Sequence, residues 1–164
     1  MRLRLLLLPL LVAACSHKPA ATDWTPAHWG MMPSEVMASV PNTTPESGDR
    51  LASGAVARVR LDAAAVAGTS LPASFFFLDD RLVQVMFGDS QYHDNAASRK
   101  TLEHLAVQLR KQYGPETPGK AMDPAAGLSY DSSWTSGDTE IILSASPVTA
   151  STSMVTVIYR RKAA

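Results

Sequence analysis

Cysteine is almost missing from this chain: Cys15 stands alone among 164 residues. No disulfide can form within it, so stability has to come from packing. Neither charge is in excess, with 15 lysines and arginines against 15 aspartates and glutamates. That balance offers no basic face for nucleic acid and argues against such a partner. A membrane-spanning run is missing too, because the apolar stretch from Leu5 to Ala14 falls short of the about 20 residues a span takes. No serine sits in a Gly-x-Ser-x-Gly elbow. The 4 histidines, His17, His28, His93 and His104, show no His-x-x-x-His spacing for a metal. His93-Asp94 reads better as the polar start of a helix than as a site. Asp79-Asp80, the nearest thing to paired carboxylates, reads as turn chemistry. These gaps lead to the expectation of a non-enzymatic protein with no cofactor and no metal.

What is present begins with Met1-Arg2-Leu3-Arg4, a basic segment, followed by the short apolar run and Leu11-Val12-Ala13-Ala14-Cys15. Small residues closing such a run mark a secretory signal. The cysteine directly after them resembles the lipobox of bacterial lipoproteins. That resemblance implies removal of residues 1–14 and lipidation of Cys15. Ser16, which is not aspartate, implies the outer membrane, with the chain facing the periplasm. Several acyl chains anchor stably where a single one does not. Loss of Arg2 and Arg4 with the signal leaves a mature chain with about two net negative charges, a mildly acidic surface.

Residues 15–27 carry two prolines and no hydrophobic period, so they read as a lipidated tether. A single domain is expected over 28–161, within the ordinary size of one hydrophobic core. Pro33 and Glu35 suit a first helical turn, and Pro41 stops that helix. Asn42 to Gly54 is a polar loop. Ala57, Val59 and Leu61 alternate with Arg58, Arg60 and Asp62 as a half-buried strand does. Phe75 to Leu78 and Arg81 to Phe87, split by Asp79-Asp80, predict a tight hairpin. Between Asn95 and Tyr113, Leu102, Leu105, Ala106, Leu109 and Tyr113 share about 100° of arc, which predicts an amphipathic helix. Asp94 or Asn95 caps its start and Gly114-Pro115 ends it. Strands follow at Leu128 to Trp134, Thr139 to Ala145 and Met154 to Arg160. The expected fold is α+β: an antiparallel sheet of about six strands packed by two helices. Its order, helix and three strands twice over, suggests an αβββ–αβββ pseudo-repeat. Phe77 to Val85 matches Trp134 to Leu143 in hairpin pattern.

Trp29-Gly30-Met31-x-x-x-Glu35-Val36, Leu109-x-x-Gln112-Tyr113-Gly114-Pro115 and the later Trp-turn-Ile-x-Leu strand pair carry a second resemblance. In layout, Trp29 to Tyr159 resembles the fold class of the β-lactamase inhibitory protein, shared by the SmpA/BamE outer-membrane lipoproteins. Met32 stands where such openings often carry a Ser or Thr cap, which leaves the capping box incomplete. The resemblance implies a binder: an envelope-accessory module with an unidentified protein partner. The alternative is an inhibitor or immunity lipoprotein against a cell-wall hydrolase or β-lactamase, with Asn42 to Gly54 or Pro115 to Gly127 as the inserting loop. The Phe75 to Leu78 run puts apolar side chains on both faces of the sheet. Alternation sets Phe76, Leu78, Leu82 and Met86 opposite Val83 and Val85. With Trp29, these four form the expected binding surface. The competing reading of the same residues is a second core under the first helix and the loops.

Overall fold

The structure, a computed structural model, describes residues 26–88, 92–118 and 128–162. The expected signal (1–14), Cys15 and nearly all of the tether lie outside these residues, as does most of the Pro115 to Gly127 loop. Among the described residues, the chain runs α1 (Pro33–Ser39), β1 (Thr44–Pro45), β2 (Val56–Val66), β3 (Thr69–Leu78) and β4 (Arg81–Gly88). It continues through β5 (His93–Asp94), α2 (Asn95–Tyr113), β6 (Thr117–Pro118), β7 (Tyr130–Ser136), β8 (Thr139–Pro147) and β9 (Thr152–Arg161). The class is α+β, with one antiparallel sheet and two helices. The strand number corrects the expected six. Eight strands lie in the order β1-β2-β3-β4-β9-β8-β7-β6, and a ninth, β5, pairs with β9. The additional strands are two-residue edge pieces, too short to carry any hydrophobic period.

Helix, Thr-Pro edge strand and three long strands occur twice. The last long strands of the two halves meet at the centre, where Val85 faces Tyr159 and Phe87 faces Val157. Thr44-Pro45 pairs with the outer edge of β2, and Thr117-Pro118 with that of β7. This order also corrects the hairpin match drawn from sequence. The β3–β4 hairpin joins the second and third long strands of its half, whereas β7–β8 joins the first and second of its own.

Both helices pack on one face of the sheet. Val36 and Val40 come from α1, and Leu102, Leu105, Ala106 and Leu109 from α2; all join one core with Phe75, Phe77, Val85, Ile141 and Leu143. The α2 stripe is the one its spacing predicts. Asp94 Oδ1 accepts hydrogen bonds from the N–H groups of Ala96 and Ala97, each at 2.9 Å. Gly114 ends the helix at a φ of 88°, which a side chain would strain. Trp134 Nε1 then donates to the Gly114 carbonyl at 2.9 Å. Tyr113 packs edge-on against Tyr159 and donates to its hydroxyl at 3.2 Å. Burial pushes both phenols above the ordinary tyrosine range. At α1, Glu35 Oε2 accepts from the Met32 N–H at 2.6 Å, so the carboxylate half of the capping box forms without a Ser or Thr.

Asp79 and Asp80 form the expected hairpin turn, with φ values of 50° and 58° that match a type I′ geometry. Two bulges overturn the alternation assumed on either side of β3. Phe76 pairs with Gln84 but Phe77 with Leu82, so Val83 is an additional residue in β4. Across that bulge the faces exchange: Leu82 points into the main core with Val85, and Val83 points away from it. In β2 the register shifts between Ala57 and Val59, and Ala57 joins Phe76 on the opposite face rather than Val59.

Candidate functional site

The five residues expected to form one surface are divided by the structure. Leu82 is 1% exposed and belongs to the helix-side core. Phe76 is also 1% exposed, on the outer face, in a small cluster with Ala55 and Ala57. Leu51, Val83 and Met86 pack against that cluster half-buried. Leu78 is 40% exposed beside Gly54. Trp29 is half-buried beside the centre of the sheet, its neighbour Gly30 bonded to Leu82 of β4 and its own Nε1 donating to Thr139 Oγ1 of β8 at 2.9 Å.

What covers Phe76 is the chain between β1 and β2, not α1. The Glu46 N–H donates to the Arg58 carbonyl at 2.8 Å and the Ala57 N–H to the Asp49 carbonyl at 3.0 Å. The Leu51 N–H donates to the Ala55 carbonyl at 2.8 Å. This strap lies so close to β2 that a Cβ at Gly48 would meet that of Ala57 at 2.9 Å. Arg50 Nη1 holds the Gly54 carbonyl at 2.9 Å. Glu46 Oε1 accepts from Ser74 Oγ at 3.3 Å, while its buried Oε2 has no partner. The polar loop expected at Asn42 to Gly54 is therefore an edge strand and a strap tied to the sheet.

Beyond Met86 the outer face opens. Met86 faces Ile158, and Ile158 faces Ile142, making an aliphatic row across β4, β9 and β8 in which all three side chains are half-buried. Polar cross-strand pairs bound it. Arg160 Nε donates to Glu140 Oε2 at 2.7 Å on one side, and Ser144 and Thr156 share a hydrogen bond of 2.7 Å on the other. Ile142 drew no attention in the sequence, because Ile141 and Leu143 beside it mark the inner face. Its cross-strand register supplies the missing signal.

A second feature lies at α1. Trp29, Gly30, Met31, Glu35, Ala38, Ser39 and Arg81 line a cleft of about 550 Å³. The Gly30 N–H donates to the Leu82 carbonyl at 2.9 Å and the Leu82 N–H to the Met31 carbonyl at 2.9 Å, so β4 fixes the floor. Arg81 Nη1 donates to the Gly30 carbonyl at 3.2 Å.

Elsewhere, His93 pairs with Ser153 as part of β5, and Asp94 is occupied as the α2 cap. Arg58 Nη1 lies 3.1 Å from Asp80 Oδ1, leaving Asp79-Asp80 as a turn with one paired acid. Arg110 forms a two-pronged ion pair with Glu116, holding that carboxyl down at about 2 through hydrogen bonding to the guanidinium. No group of three or more His, Cys, Asp or Glu among the described residues converges as a metal site. No described helix is long and apolar enough to cross a membrane. Comparison with protein-family models, with curated proteins and with solved structures finds no match to this chain.

Proposed function

We propose that the chain is a lipoprotein held by Cys15 at the periplasmic face of the outer membrane, where it acts as a non-enzymatic protein-binding or envelope-accessory module. Its working surface is the outer face of β4, β9 and β8. One observation carries this reading: the aliphatic row Met86, Ile158 and Ile142 is only half-buried, while Phe76 on the same face of the first half is sealed by the strap. An antiparallel sheet tolerates one solvated face, but a patterned polar–apolar–polar band marks an interaction surface better than scattered apolar residues do. The likeness to the β-lactamase-inhibitory-protein and SmpA/BamE fold class belongs to this proposal. The doubled order of elements supports it, as do the structural roles of Trp29-Gly30 and Tyr113-Gly114.

The test has two arms. Palmitate labelling and membrane fractionation of Cys15→Ser check the anchor; label and outer-membrane retention in that variant would disprove it. A photo-crosslinking residue at position 142 or 158 in intact cells should give a discrete protein adduct that the same residue at exposed Val107 does not. Equal adducts at all three positions would remove the face from consideration.

A further inference from the structure

The strap lies on the edge of β2 as a bound peptide would. The Glu46 N–H donates to the Arg58 carbonyl, the Gly48 N–H to the Ala57 carbonyl at 3.3 Å, and the Ala57 N–H to the Asp49 carbonyl. Arg50 and Val56 add an antiparallel bridge. Leu51 then sets one aliphatic side chain against the cluster of Phe76, Ala55 and Ala57. This is strand addition to a sheet edge, with backbone bonds for affinity and a side chain for fit.

The same segment is lightly held. Ser47, Gly48, Asp49 and Arg50 are exposed, so Leu51 is its single large apolar contact. Closure leaves Glu46 Oε2 buried with no partner among the described residues, a desolvation cost that opening removes. A segment with so few buried apolar contacts opens ahead of the whole domain. The open row on β4, β9 and β8 spans about 10 Å, two strand spacings, and uncovering β3 and β2 widens that to about 19 Å. A stable interface takes about 800 Å² from each partner, and a row one residue deep falls short of it.

We propose that the strap is a displaceable self-ligand: its slot on β2 takes an extended polypeptide segment of a partner, which sets an aliphatic side chain where Leu51 lies. This rests on the outer face as the working surface and names the form of partner that face accepts. Met86 joins slot to row, because it packs against the Phe76 cluster and faces Ile158. Gly48 is the catch. A Cβ there would meet that of Ala57 at 2.9 Å, so a larger side chain lifts the strap and leaves the floor of the slot intact.

The experiment uses the full chain and, as probe, a synthetic peptide of residues 44–52 with both ends capped. In native-state hydrogen exchange, the Glu46 and Ala57 amides should exchange about a hundredfold faster than those of the central β4–β9 pair. Glu46→Gln should slow them about tenfold, because no charge is then buried. Gly48→Val should abolish their protection and leave the central amides slow. The probe should bind Gly48→Val in the millimolar range, shifting the Ala57 amide saturably, but not the parent, whose strap fills the slot. Leu51→Asp in the probe should weaken binding at least about tenfold. If Gly48→Val loses protection at the central amides too, Arg50→Ala replaces it, removing the tie to the Gly54 carbonyl. Strap amides as slow as the central ones overturn the proposal, as do an opened variant without saturation, equal binding by the parent or indifference to Leu51→Asp. Crosslinked adducts at positions 142 and 158 without probe binding would keep the row and remove the slot. Probe binding without those adducts would keep the slot and remove the row.

Discussion

The first half of the chain covers its three long strands with a seven-residue helix, whereas the second half lays a nineteen-residue helix over its own. On the inner face the two arrangements converge on one continuous core. On the outer face they part. The first half spends its strap on Phe76 and seals it, with backbone hydrogen bonds fixing the strap to β2. The second half presents Ile158 and Ile142, half-buried between two polar pairs and continuous with Met86 at the rim of the sealed cluster. The same register of strands can therefore serve as a second small core or as an open band, and the segment that follows the Thr-Pro edge strand makes the difference in the first half. Burial separates a structural apolar side chain from one available for recognition, although both look alike in sequence.

The comparison breaks most readily at Phe76. Phe76→Asp places an unpaired carboxylate in a dry cluster and is expected to cost about 3–5 kcal/mol, a large share of the stability of an ordinary domain and enough to unfold a marginal one. Ile158→Asp meets water and should cost about 1–2 kcal/mol while leaving a folded protein. Thermal melts followed by circular dichroism measure both; equal losses would mean that the second outer face is as closed as the first.

The helices sharpen it next. Leu105→Ala or Leu109→Ala removes a fully buried side chain and should cost about 2–5 kcal/mol. His104→Ala, on the exposed face of α2, should stay within about 0.5 kcal/mol. Urea melts showing equal effects would contradict the phase of the helix.

That phase is legible in the sequence, because four apolar positions at helical spacing overdetermine it. The β3–β4 turn was legible too, since two adjacent acids between β-favouring runs leave few alternatives. The faces around that turn were not. Alternation presumes one residue opposite one residue, and the additional residue at Val83 exchanges Leu82 and Val83 between the faces with no change in composition. Arg58 conceals Ala57 in the same way. The strap escaped notice because Leu51 is its single large apolar side chain, too little for a period. The one retrospective signal is the Thr-Pro pair that follows each helix within five residues. The cleft at α1 was missed because Glu35 was read for its helical role and Arg81 for its place beside the turn.

Each half also holds one tryptophan whose indole N–H is committed. Trp134 bonds the α2 carboxyl-terminal carbonyl of Gly114, and Trp29 bonds the Thr139 hydroxyl at the start of β8. Phenylalanine at either position keeps much of the packing and removes the bond, for an expected loss of about 0.5–1.5 kcal/mol each. Trp134→Phe should be the costlier, because it leaves a helix-end carbonyl without its partner. A larger loss at Trp29, by denaturant melts, would place the tighter lock in the first half.

Acid separates the halves more gently. Glu116 titrates at about 2 in the folded chain, below its ordinary value of 4.5, because the Arg110 guanidinium holds its ionised form. Its contribution is complete above about pH 4.5 and is lost as pH falls toward 2. Solvent screening keeps it under about 1 kcal/mol, since the Arg110 side chain is half-exposed. Glu116→Gln should flatten the melting temperature between pH 5 and pH 2 relative to the parent, about as far as that contribution allows. An unchanged slope would show that other carboxylates dominate.

The smallest effect concerns buried polar atoms that lack partners among the described residues, one in each half: Glu46 Oε2 and Ser132 Oγ. Ser132 lies on the inner face of β7 opposite Leu143, 2% exposed. A buried hydroxyl with no partner adds desolvation cost without a compensating bond, so Ser132→Ala should leave stability unchanged or raise it by up to about 1 kcal/mol. Ser153 is the control, equally buried but engaged, since its hydroxyl donates to Asn95 Oδ1 at 2.6 Å beside the start of α2. Ser153→Ala should cost about 1 kcal/mol, because the substitution removes a made hydrogen bond and leaves the half-buried Asn95 amide oxygen without it. Parallel urea melts of the two variants test the distinction directly. A loss at Ser132 equal to that at Ser153 would mean that its hydroxyl is bonded after all, and that the second half packs as completely on its inner face as the first.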